Sequence, residues 1–313
     1  MDVKLKPKKS SNYIVTIAIG NKHKKLFNKY SLESWLIYCD RNDIGLICFY
    51  EDLISKKDKD WKKPNWQKLL IPKLLKSKID LNSNICFLDI DILINPYSPN
   101  IFDFHIEDKI SLVSQEKNLP YNLTNLKKNI SFFRHFYYSK DYPLNSAIFM
   151  KPNEIYKYHG IDAEVNDYAC TGTFIYNLKE FGDFFEQIYF KYPPEVESIT
   201  GGGEEFHLNY EFHLLNKTNW IDYKFQAIWI FEMGAKYPHL YYSKPINEKK
   251  IKESIQSSLI SNYFLHFAGS WYESEMYHDK NIIDNKFLKI CKELSNYKNQ
   301  EINYKSHGII KPN

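Results

Sequence analysis

In Leu88-Asp89-Ile90-Asp91-Ile92 two carboxylates stand one residue apart, directly behind the apolar run ICFL at 85–88. Acidic groups at the mouth of a buried strand lose hydration and repel one another, which costs on the order of several kcal/mol unless a cation or ligand compensates them. Hard oxygen donors suit Mg²⁺ or Mn²⁺ better than zinc. In an extended segment the two side chains point to opposite sides, so Asp91 would ligate the metal while Asp89 reaches a ribose, or the same ion through water. The bland counterpart is a solvated acidic turn, because D-x-D alone is common. A second acidic pair, Glu204-Glu205, follows Gly201-Gly202-Gly203 and opens a helical pattern that runs to about Asn216. The helix dipole favours ionised carboxylates there, so a capping role competes with a chemical one.

The elements that must position these groups alternate. Residues 13–19 (YIVTIAI) form a β-branched run ending at Gly20, and a helical pattern follows with Leu26, Phe27, Tyr30, Ser34 and Ile37 on one face. Residues 44–50 (IGLICFY) predict a second strand and 85–88 a third, short enough to be buried on both faces. Between them, 65–78 (NWQKLLIPKLLKSK) is helical, with Pro72 expected to kink it. Strand–helix–strand–helix–strand implies an α/β fold with a parallel sheet and right-handed crossovers. Ligands of such sheets bind beyond the carboxyl ends of the strands, so residues 20–21 and 89–91 would share a cleft.

Further along, 172–176 (GTFIY) reads as a strand and 179–189 as a helix burying Phe181, Phe184, Phe185 and Ile188. Residues 115–167 read as an irregular insertion, whose Phe132, Phe133, Phe136, Tyr137 and Tyr138 either pack on one another as a lid or line a binding wall. No repeat and no Gly/Ser or Pro linker divides the chain. A basic segment at 1–12, one domain over 13–295 and a polar tail at 296–313 are therefore expected.

The 313 residues are 43% hydrophobic and 26% charged, which excludes collagen-like, disordered and disulfide-scaffold classes. A net charge of +4, from 42 Lys+Arg against 38 Asp+Glu, is too near balance to mark a nucleic-acid binder. Arg41 and Arg134 are the two arginines, so a phosphate site must rely on lysine and backbone N–H groups. The 5 cysteines are scattered, without a C-x-x-C pair, and read as reduced thiols. No signal-peptide pattern and no apolar run of membrane-spanning length occurs, so a cytoplasmic protein is expected. An aromatic content of 17% makes a sugar-stacking wall an expectation secondary to core packing. Without G-x-x-x-x-G-K-[ST], G-x-S-x-G, or G-x-G-x-x-G after the first strand, P-loop, α/β-hydrolase and dinucleotide-binding readings lack their marks.

Residues 67–94, QKLLIPKLLKSKIDLNSNICFLDIDILI, resemble the donor-site segment of retaining GT-A glycosyltransferases of family eight, the glycogenin and lipopolysaccharide-galactosyltransferase kind. That segment runs from a helix worded like R-x-L-I-P through an apolar strand to L-D-x-D. Lys68 stands where the family usually has an arginine near the diphosphate, and the resemblance implies that Asp89 and Asp91 hold the metal of the donor. Tyr168-Ala-Cys-Thr-Gly-Thr-Phe-Ile-Tyr-Asn177 is similar to the clan's Y-F-N-x-G-x-x-x-x-N strand, which brings Thr171 and Gly172 to the donor site and puts Cys170 where a polar residue touches sugar.

Glu204-Glu205-Phe206-His207-Leu208-Asn209 resembles D-Q-D-x-L-N of family eight, and more closely D-E-x-H-L-N of family six, the blood-group and α-1,3-galactosyltransferases. This aligns Glu205 with the carboxylate given as nucleophile or electrostatic stabiliser, with Glu204 the lesser candidate. An oxocarbenium-like centre does want an anion about 3 Å away. His266-Phe-Ala-Gly-Ser-Trp271 looks like the family-eight ending H-x-x-G-x-x-K-P-W, which makes His266 the third metal ligand and places Gly269 at the donor. An imidazole with two carboxylates is a sound Mn²⁺ set. The K-P-W lysine is missing, with Lys280 the candidate stand-in.

Running patchily over 13–272, the resemblance implies a GT-A fold, α/β with a mostly parallel central sheet flanked by helices. It implies an enzyme that moves a hexose from a nucleotide-diphosphate sugar, expected to be a UDP-sugar, to a hydroxyl of a glycan or other acceptor, with retention and with Mn²⁺ or Mg²⁺ as cofactor. Ala18, Gly20 and Asn21 are the expected nucleotide wall, and neither a nucleic-acid partner nor a transmembrane segment is expected. Three alternatives stay open. An inverting enzyme of the same fold is one. A sugar-1-phosphate nucleotidyltransferase is another, although 17–21 lacks its Gly-rich basic loop. A non-catalytic carbohydrate-binding protein is the third, and it leaves the D-x-D unexplained.

Overall fold

The β-branched and apolar runs NYIVTI, GLICF and NICFL become three adjacent strands in the computed structural model, which describes residues 1–136, 144–165, 167–198, 203–242, 247–269 and 281–298. The strands in chain order are β1 (Asp2–Leu5), β2 (Asn12–Ile17), β3 (Gly45–Phe49), β4 (Asn84–Leu88), β5 (Ile92–Ile94), β6 (Ile110–Ser114), β7 (Ala169–Asn177), β8 (Thr218–Ile221), β9 (Ala227–Ile228) and β10 (Phe264–His266). A seven-stranded sheet has the order β1-β3-β2-β4-β7-β6-β8, and a three-stranded one the order β5-β10-β9. β2, β3 and β4 are parallel, as their spacing predicts. β7 is longer than the expected 172–176 and runs antiparallel to both β4 and β6, while β8 lies parallel to β6. Five of the seven strands of the large sheet thus run one way, and β7 in its middle and β1 at its edge run against them.

β1 lies within the basic segment expected at 1–12. It pairs antiparallel with β3, and the N–H groups of Lys8, Lys9 and Ser10 donate to the Asp43 carboxylate. The pattern after Gly20 is helical through Asn21–Leu26, a π turn at Phe27–Ser31 and Leu32–Arg41. Phe27 and Trp35, both buried, meet edge to face with ring centroids 5.0 Å apart. The single kinked helix expected over 65–78 is instead three pieces, Pro64–Gln67, a 3₁₀ turn Lys68–Leu70 and Ile71–Leu75. Pro72 has no N–H for a continuous ladder, so the chain tightens one turn ahead of it. That tightening coincides with the burial of Lys68.

The stretch 115–167 is more regular than expected. Leu123–Phe136 is a helix whose Leu126, Ile130 and Phe133 pack in one cluster with Ile230 and Met233. Pro152–Tyr158 is another, with Tyr156 buried against Tyr168 and Phe206. The rings read as one group therefore part ways: Phe133 is core, Phe132 is exposed, and Tyr137 and Tyr138 lie outside the described residues. Gly201, Gly202 and Lys280 also lie outside them, as do 299–313 of the expected tail. Strand alternation divides the main core into two layers, Phe87, Phe174 and Tyr176 with Phe185 on one face, Cys86 and Ile175 with Trp35 on the other. All five cysteines are free and buried. No described helix is long and apolar enough to cross a membrane.

Candidate active site

β4 ends at Leu88 and β5 begins at Ile92 in the other sheet, so the D-x-D segment is the turn that joins the two sheets. It is not extended, as the sequence reading supposed, because the Ile92 N–H closes on the Asp89 carbonyl at 3.2 Å. Both carboxylates consequently face one side. Asp91 Oδ1 is 3.2 Å and Asp89 Oδ2 3.8 Å from Nε2 of His266, and the three ligand atoms lie within 4.8 Å of one another.

Every carbonyl of the turn is held. Leu88 O accepts from Thr16 Oγ1 at 2.6 Å, Ile90 O from Ser31 Oγ at 3.0 Å, Asp91 O from the Phe267 N–H at 3.0 Å and Ile92 O from the Trp35 indole at 2.9 Å. Ser31 belongs to the π turn, a rare helix form that recurs at functional sites. His266 is fixed by register, paired with Ile92 of β5 on one side and Ile228 of β9 on the other.

β7 runs beneath the cluster. The Asp89 N–H donates to the Gly172 carbonyl at 2.9 Å, and a Cβ on Gly172 would stand 2.4 Å from His266 Cε1 and 2.9 Å from Asp89 Oδ2. The glycine of the Thr-Gly-Thr motif is therefore a close-approach position. One residue back, Thr171 opens a buried polar network. Its hydroxyl donates to Glu204 Oε1 at 2.5 Å, and Lys68 Nζ binds Glu204 Oε1 at 2.5 Å and the Thr171 carbonyl at 2.8 Å. Lys68 and Glu204 are nearly inaccessible, at 3% and 4% of side-chain surface. They neutralise each other, so Lys68, expected near the diphosphate, is buried on Glu204 and the Thr171 carbonyl.

Glu205 begins the helix Glu205–Leu215 and is half-buried. Burial and then the Glu204 charge push its carboxyl up to about 7, against Lys68, the Thr171 N–H and the Gln115 amide. Asp89 is pushed up to about 6, by burial first, with Lys68 opposing and Asp91 adding. Burial disfavours a charged His266, but Cys170 and the Asp91 carboxylate more than reverse that and hold it well above its ordinary value. Both Asp89 and His266 thus hold their protons more tightly than the isolated groups would. Two carboxylates and an imidazole converging on one point, with a backbone that cannot relax away, fit a hard divalent cation.

A cavity of about 320 Å³ opens in front, lined by Asp89, Asp91 and Gly269 together with Ile17, Ile19, Lys22, His23, Pro64 and Asn65. Gly269 and Gly20 both have positive φ, at 86° and 89°. Of the expected nucleotide wall, Ala18 is fully buried with Phe27 and Trp35, Gly20 caps the helix and Asn21 is exposed. Strand alternation turns Ile17 and Ile19 to the cavity in place of Ala18. Lys22, His23, Gln115 and Gln226 were missed by sequence reasoning. The first two had a signal, basic residues just past β2, whereas the glutamines sit in stretches without one.

The chain matches no protein-family model and no curated protein. Among solved structures it is similar to a glycosyltransferase involved in the glycosylation of the major capsid of PBCV-1, at 9% identity over 89% of this chain and 98% of that one, TM-score 0.47. It is also similar to the bifunctional glycosyltransferase WbbM, at 10% identity over 91% of this chain and 52% of that one, TM-score 0.48. A third is the galactosyltransferase LgtC in complex with donor and acceptor sugar analogs, at 14% identity over 94% and 99%, TM-score 0.42. The chain spans about half the length of WbbM.

Proposed function

We propose that this chain is a metal-dependent glycosyltransferase that moves a hexose from a nucleotide-diphosphate sugar, a UDP-sugar by its sequence resemblance, to a hydroxyl of a glycan or other acceptor with retention. The observation that carries the reading is the convergence of Asp89, Asp91 and His266 at the mouth of a cavity beyond the carboxyl ends of β2 and β4. Asp89, Asp91 and His266 would hold Mn²⁺ or Mg²⁺, which when bound offsets charge on a departing diphosphate. Lys22 adds a cationic group on the same cavity, and His23 an imidazole. Glu205, tied to this cluster through Thr171 and Gly172 of β7, is the candidate anion for the anomeric centre, and it acts in its ionised form. Lys68 and Glu204 act on Glu205 from below: the lysine favours its carboxylate and the glutamate opposes it.

A thermal-shift and nucleotide-release screen of UDP-, GDP- and CDP-sugars, each with Mn²⁺ and with EDTA, on wild type and Asp91→Asn, tests this. One nucleotide class should stabilise the wild type in Mn²⁺, and neither EDTA nor Asp91→Asn should permit it. No stabilisation by any donor would refute the reading. The anomer of the product then decides between retention and inversion.

A further inference from the structure

Gln226 closes the 3₁₀ turn Tyr223–Gln226 just before β9, and β9 pairs in parallel with β10, so the backbone itself sets this amide beside His266. The side chain is 1% exposed, with Nε2 3.0 Å from Nδ1 of the imidazole. Its Oε1 is buried and finds no hydrogen-bond partner among the described residues. The two ends of an amide are told apart by their hydrogen bonds, and the end that faces Nδ1 decides which imidazole nitrogen carries the proton. With the NH₂ toward Nδ1, that nitrogen must be bare, the proton sits on Nε2, and Nε2 has no lone pair for a cation. Turned over, Oε1 accepts from Nδ1–H while the NH₂ takes the position that has no partner among the described residues, and the imidazole Nε2 presents its lone pair to the point shared with Asp89 and Asp91.

We infer that Gln226 is the positioning residue of the metal centre: its Oε1 accepts the Nδ1–H of His266 and so fixes the tautomer in which Nε2 ligates the cation. The inference rests on the metal reading of the Asp89, Asp91 and His266 cluster. Cys170 Sγ, 3.5 Å from the same nitrogen, is a weak donor and a weak acceptor and imposes neither tautomer. Gly172 is part of the same device, since a Cβ there would stand 3.0 Å from Gln226 Nε2 as well as against the imidazole.

The test is Mn²⁺ binding to the full chain, read from the EPR signal of free ion, with Gln226→Leu and Gln226→Glu beside the wild type. Gln226→Leu should bind Mn²⁺ about 10- to 100-fold more weakly, the usual effect of losing the acceptor behind a ligating imidazole. Gln226→Glu, which restores an acceptor, should bind within a few-fold of wild type. Imidazole ¹H–¹⁵N spectra of the wild type in saturating Mg²⁺ should report Nδ1–H for His266, a reading that does not depend on any variant folding. A folded Gln226→Leu that binds Mn²⁺ within two-fold of wild type overturns the inference and leaves the metal reading intact, whereas an Nε2–H tautomer in saturating Mg²⁺ overturns the inference and removes His266 from the ligand set as well. A wild type that binds no Mn²⁺, alone or with a donor nucleotide, overturns both.

Discussion

Adding one methyl group at Gly172 should disable the proposed metal centre while leaving its three candidate ligands in the sequence. The built Cβ stands 2.4 Å from His266 Cε1, and carbon atoms pack at about 3.5 Å or more, so a separation of about 1 Å must be found. β7 cannot supply it, because Gly172 lies between β4 and β6 and its carbonyl is bonded to the Asp89 N–H at 2.9 Å. The imidazole must withdraw instead, and metal ligands tolerate only about 0.2 Å. Gly172→Ala should therefore weaken Mn²⁺ binding by about 100-fold, comparable to the upper range for disturbing the groups that support a ligand. Overpacking of about 1–3 kcal/mol in a chain of this length should also lower the melting temperature by about 2–6 °C. Mn²⁺ titration followed by EPR and a thermal melt read the two effects separately. A variant that melts with the wild type and binds Mn²⁺ within two-fold would show that the close packing of β7 under His266 is not what this geometry requires.

The buried pair below the site gives a second expectation. Lys68→Met leaves Glu204 charged and inaccessible and should cost about 3–5 kcal/mol in urea unfolding, whereas Lys68→Met with Glu204→Leu should recover most of it. Equal losses in the single and the double variant would count against the pairing. A third concerns Glu205, whose folded carboxyl titrates at about 7 against an ordinary 4.5. Between those values the native state keeps a proton that the unfolded chain has released, so stability falls as pH rises from about 4.5 to about 7 and levels off above. Glu205→Gln should flatten that slope in melts across the range, and transfer by the wild type should rise through about pH 7 as the carboxylate forms. A slope unchanged by the substitution would remove Glu205 as its source.

The D-x-D pair, His266 and Gly172 were legible because each combines a chemistry-bearing or permissive residue type with an adjacent apolar run, and apolar runs are what sequence reports best. Their direction was not legible. Alternation along an extended segment sends Asp89 and Asp91 apart, and only the turn between two sheets, closed by Ile92 N–H on Asp89 O, brings them together. Lys68 was legible as a cation but not as a buried one, since its partner Glu204 arrives from a distant segment. Asn209 shows the opposite trap. It sits in a motif with a chemical resemblance, yet its amide bonds the Ala169 N–H at 2.7 Å and the Ala169 carbonyl at 2.8 Å, which extends the pairing of β7 and is a structural duty.

What no local pattern could reveal is how the turn is held. Its carbonyl groups take hydrogen bonds from Thr16 at the end of β2, Ser31 and Trp35 of the first helical run, and Phe267 just beyond β10. These donors are ordinary residues in ordinary elements, and each gains its role from a contact made across the fold. Because they satisfy the backbone without a ligand, Asp89 and Asp91 are oriented before any cation arrives, and the repulsion between them is imposed by folding. That is the arrangement expected when affinity for a divalent ion is built into the protein, because a flexible acidic turn would let the two carboxylates separate and would have no such demand for charge.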